Sequence, residues 1–242
     1  MTEISGLDVE RYQKEGYLAL GPILSPTDID ELLVEERRFR PRAPDAAGAN
    51  RTLLVRTQLC HRSEPVRRFC TAGRHIEIVA ALLGPDVCLT HQQFIAKLPD
   101  DPNTTSEISF HQDNGYGRLD PPTDVTVWVA LHDADESNGC LQIIPGSHLL
   151  GVVDHGQSGV NPSLREARGS DSAAVALPMR AGEAVAFTGQ TLHASGPNRT
   201  TRERVGLFAR YCDPAVTMVT EGNRPVLEDG HSWMVRGELH RR

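Results

Sequence analysis

From residue 85 onward the chain is a succession of short apolar runs cut apart by Gly, Pro, Asn and Asp, and this constrains the fold more than any other feature. The runs are VCLTHQQFIAKL (87–98), EISFHQD (107–113), VTVWVAL (125–131), GCLQIIPG (139–146), AVAL (174–177), EAVAF (183–187) and RVGLFARY (204–211). Rich in residues that favour extended backbone and bounded by turn formers, they read as strands. Many short strands with such punctuation predict a sandwich, jelly roll or barrel. In VTVWVAL the alternation is explicit: Thr126, Trp128 and Ala130 take one face, and Val125, Val127, Val129 and Leu131 take the other.

The first third reads differently. Ser25-Pro26-Thr27-Asp28 is a helix start, with a capping serine, a proline suited to the first turn and an acid at the positive end. Ile29, Leu32 and Leu33 follow as an apolar stripe at helical spacing. A second short helix starts at Ser63-Glu64-Pro65 and runs through Val66, Phe69 and Cys70, and a third covers His75 to Leu83 and stops at Gly84. No linker-like segment separates the two textures. The expectation is therefore one domain over 1–242: a mostly helical layer (1–84), a strand core (85–212) and a C-terminal segment (213–242). Two stretches break the rhythm, the turn-rich 115–124 and the long polar 149–173. The second is either a lid over a site or a disordered loop.

A net charge of -7 argues against a general nucleic-acid binder. The local cluster Arg37, Arg38, Arg40 and Arg42 reads as a solvated helix end. Cys60, Cys70, Cys88, Cys140 and Cys212 are scattered and odd in number, which points to a reducing compartment rather than a disulfide framework. With no apolar leader and no run long enough to cross a bilayer, the expectation is a cytoplasmic chain with no membrane partner. Oligomeric state is not legible.

Chemistry enters at ISFHQDNGYG (108–117), where His111 and Asp113 stand two apart at the end of a strand run. Alone, this spacing is weak. Two histidines and one carboxylate on one face of a metal, however, leave positions open on Fe(II) for a co-substrate and O2. Residues i and i+2 of a strand supply adjacent ligands, and His193, in FTGQTLHASGPN, is the candidate third. Beyond it Arg204 opens RVGLFARY, and an arginine fork suits the distal carboxylate of 2-oxoglutarate. Arg199, Arg202 and Arg210 serve equally on spacing alone.

The ordered set HQD, TVWVAL, ESNGCLQIIPGSHLLG (136–151) and GEAVAFTGQTLHASGPNRTTRERVGLFARY (182–211) resembles the phytanoyl-CoA dioxygenase family of Fe(II)/2-oxoglutarate oxygenases. Fainter similarity extends back through RRFC, LLGP and HQQFIAKLPD to KEGYLAL; the last thirty residues and 149–173 match least. The resemblance implies a double-stranded β-helix (jelly roll, cupin-like) with helices outside. It implies His111, Asp113 and His193 as iron ligands and Arg204 and Ser195 as partners of the distal carboxylate of 2-oxoglutarate. Trp128 falls beside the co-substrate, and Gln93 and Arg56 fall where further co-substrate contacts occur. At the position of Arg56 the close relatives are expected to carry lysine. The cofactors implied are Fe(II), 2-oxoglutarate and O2. The function implied is hydroxylation of an unactivated C–H bond of a small organic metabolite, in secondary metabolism, with release of succinate and CO2. Alternatives are desaturation, epoxidation or ring closure by the same cofactors, a zinc hydrolase on the same ligands, or a non-catalytic metal-binding jelly roll. Asp113 argues against halogenation, which needs a small residue there. The substrate pocket is expected from 99–110, 114–122, the 149–173 loop and the C-terminal segment. His91, His132 and His155 carry no assigned chemistry, and His148 reads as a turn residue or a support to the site.

Overall fold

A computed structural model describes residues 4–40, 52–158, 165–167, 174–219, 222, 224–228 and 232–237. In chain order the elements begin with α1 (Gly6–Glu15), β1 (Tyr17–Pro22), α2 (Pro26–Phe39), β2 (Leu53–Thr57), α3 (Glu64–Thr71), α4 (Arg74–Leu83) and β3 (Val87–Lys97). Next come β4 (Ile108–His111), β5 (Leu119–Asp120), β6 (Asp124–Ala130), β7 (Leu141–Ile143), β8 (His155–Gln157), β9 (Arg165–Ala167) and β10 (Val175–Leu177). The last are β11 (Glu183–Thr188), β12 (His193–Ser195), β13 (Arg204–Cys212), β14 (Thr217–Met218), β15 (Arg224–Pro225) and β16 (Trp233–Arg236).

Two antiparallel sheets make the body. The larger runs β1-β11-β6-β13-β3-β16, with β2 also paired to β3, and the smaller runs β10-β7-β12-β4. The expected jelly roll is what forms, and every strand foreseen after residue 85 falls in one of these sheets. The segment 1–84 gives more than helices: β1 and β2 both join the larger sheet, and β16 brings the C-terminal segment onto its edge.

Helix starts follow the local rule twice over. Ser5 with Asp8, and Ser25 with Asp28, form reciprocal capping boxes in which each serine hydroxyl accepts an amide and each aspartate returns a bond to the serine amide. Such a cap is worth about 1 kcal/mol. The helix start expected at Ser25 forms as expected and its Asp28 closes a box; the start at Ser5, with the same Ser-x-x-Asp signal, was not foreseen. Alternation then divides the larger sheet. Val125, Val127 and Val129 of β6, with Val205, Leu207 and Ala209 of β13, face the helices, where they meet Tyr12, Leu32, Val66, Phe69 and Val79. Trp128, Ala130, Val185 and Phe187 face the smaller sheet and pack with Leu141 and Ile143. The arginines at the end of α2 are met by acids: Arg40 pairs with Glu36 at 2.6 Å and Glu203 at 2.8 Å, and Arg38 with Glu35 at 3.3 Å. Arg42 lies outside the described residues. Among the described residues no helix is long and apolar enough to cross a membrane.

Candidate active site

Between the two sheets lies a cavity of about 460 Å3 lined by residues of both. The end that could hold a metal is built by strand register. In the β12–β4 pair His193 stands directly opposite His111, so pairing alone brings together residues far apart in the chain. The rings sit 4.2 Å apart between centroids. Asp113 is not on the strand as expected: β4 ends at His111, Gln112 stays extended, and Asp113 opens a short 3-10 turn. The extended Gln112 preserves the alternation, and Asp113 still reaches the face of His111. One ligand atom from each of His111, Asp113 and His193 lies within 4.8 Å of the others.

The orientation of each donor is fixed from behind. His111 Nδ1 bonds the Ser109 carbonyl at 2.8 Å, and His193 Nδ1 bonds the Thr191 carbonyl at 2.9 Å. A carbonyl only accepts, so both Nδ1 atoms carry hydrogen and both Nε2 lone pairs are left for a metal. Asp113 Oδ2 accepts from Thr126 Oγ1 at 2.6 Å, while Oδ1 lies 3.6 Å from His193 Nε2. Burial, reinforced by His193, lowers the pKa of His111 to about 3, keeping its imidazole neutral as a ligand must be. Burial works against the Asp113 charge, but His193, Arg210 and His111 hold its pKa below the usual carboxylate value. Two imidazoles, one carboxylate and an open cavity beside them suit Fe(II).

Gln112, between two of these residues, is fully buried and fastens the turn. Its amide NH2 donates to Gly151 O at 2.7 Å and Gln190 O at 2.6 Å, its Oε1 accepts from Val153 N at 2.9 Å, and its own N–H donates to His155 Nε2 at 2.9 Å. His155 is thus a structural acceptor. His132 is another, taking the Val205 N–H at 3.3 Å, and His148 bonds Gln13 O at the end of α1.

At the other end stand two buried cations on paired positions, Arg204 of β13 and Lys97 of β3. Lys97 Nζ is satisfied by the carbonyls of Ser106, Ser195 and Gly196 at 2.6, 3.0 and 2.6 Å. Arg204 is not: NH2 donates to Gly139 O, but Nε is buried with no partner. Its guanidinium lies 5.4 Å from the Trp128 ring centre. Burial lowers its pKa to about 10. Glycines make this end possible. A Cβ on Gly206 would lie 2.3 Å from the Trp128 ring, and one on Gly139, whose φ is +78°, would lie 2.1 Å from Gly196 O. A buried cation with an unmet donor and, among the described residues, no acid paired to it fits a ligand carboxylate.

Of the residues singled out from the sequence, His111, Asp113, His193, Arg204, Ser195, Trp128 and Gln93 all line this one cavity. Arg56 is not brought to it: Leu53 and Val55 of β2 line the wall, and Arg56, of opposite parity, bonds the carbonyls of Phe39 and Val55. Arg199 and Arg202 are exposed, and Arg210 is engaged by Asp124 and Asn114. Ile108, Tyr116, Gly117, Leu119 and Met218 supply walls in the stretches expected, while Gln58, Thr90 and His91 form one that was not. The described part of 149–173 pairs β8 with β9; 159–164 and 168–173 lie outside the described residues.

Over residues 12–206 the chain matches the phytanoyl-CoA dioxygenase (PhyH) family. Peroxisomal phytanoyl-CoA dioxygenase of Rattus norvegicus is 26% identical over 222 residues, 83% of this chain and 66% of that protein. Phytanoyl-CoA dioxygenase domain-containing protein 1 of Mus musculus is 28% identical over 234 residues, 92% of this chain and 78% of that protein. Among solved structures, the epimerase SnoN in complex with Fe3+, alpha ketoglutarate and nogalamycin RO has a TM-score of 0.73 at 25% identity, covering 91% of this chain and 86% of that one. The non-heme monooxygenase ThoJ has a TM-score of 0.76 at 24% identity, covering 95% and 84%, and shares the fold. The chain belongs to the phytanoyl-CoA dioxygenase family of Fe(II)- and 2-oxoglutarate-dependent oxygenases.

Proposed function

We propose that the protein is a dioxygenase that hydroxylates an unactivated C–H bond of a small organic metabolite while 2-oxoglutarate is converted to succinate and CO2. The observation that carries this reading is the meeting of His111, Asp113 and His193 with both imidazoles turned Nε2-inward. Iron, when bound, supplies the activation of O2 that couples decarboxylation of 2-oxoglutarate to oxidation of the substrate. The protein's own residues do the rest. His111, Asp113 and His193 would hold the metal, and the cavity they line would take co-substrate and substrate beside them. Arg204 and Ser195 grip the distal carboxylate, a charged pairing worth about 1.5–3 kcal/mol. Trp128 lies against the Arg204 guanidinium at that end, 5.4 Å from ring centre to Cζ. Leu53, Val55, Ile95, Ile108, Leu119 and Met218 supply hydrocarbon to the wall beside the polar Gln58, Thr90 and His91, which suits a compact substrate with a largely apolar body.

The test is succinate release with Fe(II), 2-oxoglutarate and O2 against a metabolite library. Asp113→Ala is expected to abolish it. Turnover with Zn(II) and without O2 would replace the oxygenase by a hydrolase, and a chlorinated product would overturn the exclusion of halogenation. A second outcome has a specific support: the structural relative SnoN is an epimerase, so product analysis must also seek outcomes other than hydroxylation.

A further inference from the structure

Behind Gln93, which the resemblance already places at the co-substrate, the cavity wall formed by β3 and the residues after β2 carries two polar residues with no role so far, Gln58 and His91. Gln58 Nε2 donates to Thr90 O and faces His91 Nδ1, each at 3.4 Å, and His91 Nε2 lies 3.2 Å from Gln93 Oε1. One set of directions satisfies all three contacts. A carbonyl only accepts, so the Gln58 atom facing Thr90 O is its NH2. That NH2 then donates to His91 Nδ1, the hydrogen of His91 sits on Nε2, and Nε2 donates to Gln93 Oε1. Among the described residues the Gln93 NH2 is the free end of this chain of hydrogen bonds, on a residue that lines the cavity.

Gln58 is held for this task at a cost in backbone conformation. Its φ is +55°, the only positive value at a non-glycine among the described residues. Its N–H donates to Gln92 O at 3.0 Å, and the next amide, Leu59, donates to Gln92 Oε1 at 2.8 Å. A glutamine in the left-handed region is uncommon, and such conformations gather at functional sites.

Position along the sheet says which part of a ligand the free NH2 meets. Lys97, Gln93 and His91 stand opposite Arg204, Phe208 and Arg210. Thr126, which orients Asp113, stands opposite Arg210. The Gln93 row is therefore one step of two residues from the metal row and two steps, about 13 Å of strand, from the Arg204 row. We infer that Gln58 and His91 are positioning residues that fix the Gln93 amide as a donor to the 2-oxo-acid end of the co-substrate. This rests on the oxygenase reading.

The experiment is an anaerobic titration of Fe(II)-loaded protein with 2-oxoglutarate and separately with pyruvate, which lacks the distal carboxylate, following the visible charge-transfer band. His91→Phe keeps a ring against Phe208, whose centre lies 5.7 Å from that of His91, and removes both nitrogens. It is expected to raise the Kd of both probes about tenfold, with Fe(II) affinity unchanged. Gln93→Met is expected to do the same, and the double variant to be no worse than either single, because His91 acts through Gln93. Arg204→Met is expected to weaken 2-oxoglutarate and spare pyruvate. Should His91→Phe fail to fold, Gln58→Met, which removes only the far end, must shift both probes in the same direction. The inference is overturned if His91→Phe leaves both probes unchanged, if it weakens 2-oxoglutarate alone, or if the two single effects multiply. A wild-type protein that gives no band with 2-oxoglutarate defeats the oxygenase reading instead.

Discussion

Arg204 and Arg210 lie six residues apart on the same face of β13, both buried and both in the wall of the same cavity, yet their surroundings are opposite. Arg210 is fully engaged: Nε donates to Asp124 at 2.5 Å, NH2 to Asn114 at 2.9 Å and NH1 to Gly117 O at 3.1 Å. Burial opposes its charge, but Asp124 and Asp113 lift its pKa above the ordinary arginine value. Arg204 has one carbonyl, an unmet Nε and Lys97 as its neighbour, and burial lowers its pKa. One arginine is finished by the protein; the other waits for a ligand to finish it. Function on this strand is marked by the withheld counter-charge rather than by the arginine itself.

The contrast can be broken at either end. The largest effect is expected from Asp124→Ala, which strands the Arg210 charge in the core and should cost about 3–5 kcal/mol. In thermal denaturation that is a fall in Tm of about 10 °C; an unchanged Tm would mean the pair is not what supports this region. Next, 2-oxoglutarate at a hundred times its Kd should stabilise the wild type by about 2.7 kcal/mol, and a thermal shift that survives Arg204→Met would place the carboxylate elsewhere. Arg204→Met itself should lose about 1.5–3 kcal/mol of 2-oxoglutarate binding, read by titration. Without ligand its Tm should hold or rise, since an incompletely paired buried cation has been removed. The smallest effect is expected from Thr126→Val, which frees Asp113 Oδ2 and should weaken Fe(II) binding by about tenfold, measured by metal titration.

Much of this was legible beforehand. Turn punctuation announced the strands, and parity along β6 assigned Val125, Val127 and Val129 to one face and Trp128 to the other before any contact was known. That His111, Asp113 and His193 form a candidate metal cluster was legible as spacing plus resemblance, but not the means of their meeting. That His193 pairs with His111 is a matter of register between β12 and β4, which no local signal states. Arg56 failed for the same reason: a shift of one residue in β2 sends a side chain to the opposite face, and parity there is set by pairing with β3. Spacing left four arginines open and the resemblance picked Arg204; why Arg210 does not serve is physical, since Asp124 engages it. His91 was passed over because its partner Gln58 reaches it only through a left-handed residue that the sequence does not announce.

The fastening of Gln112 has a practical corollary for anyone wishing to retarget this scaffold. Swapping surface segments between relatives is a usual way to transplant selectivity, and 149–173 invites it. Yet Gly151, Val153 and His155 all hold the residue between two metal donors. A graft whose upstream junction precedes residue 156 would therefore loosen the catalytic centre along with the loop, and an inactive chimera would say nothing about which molecules the new segment admits.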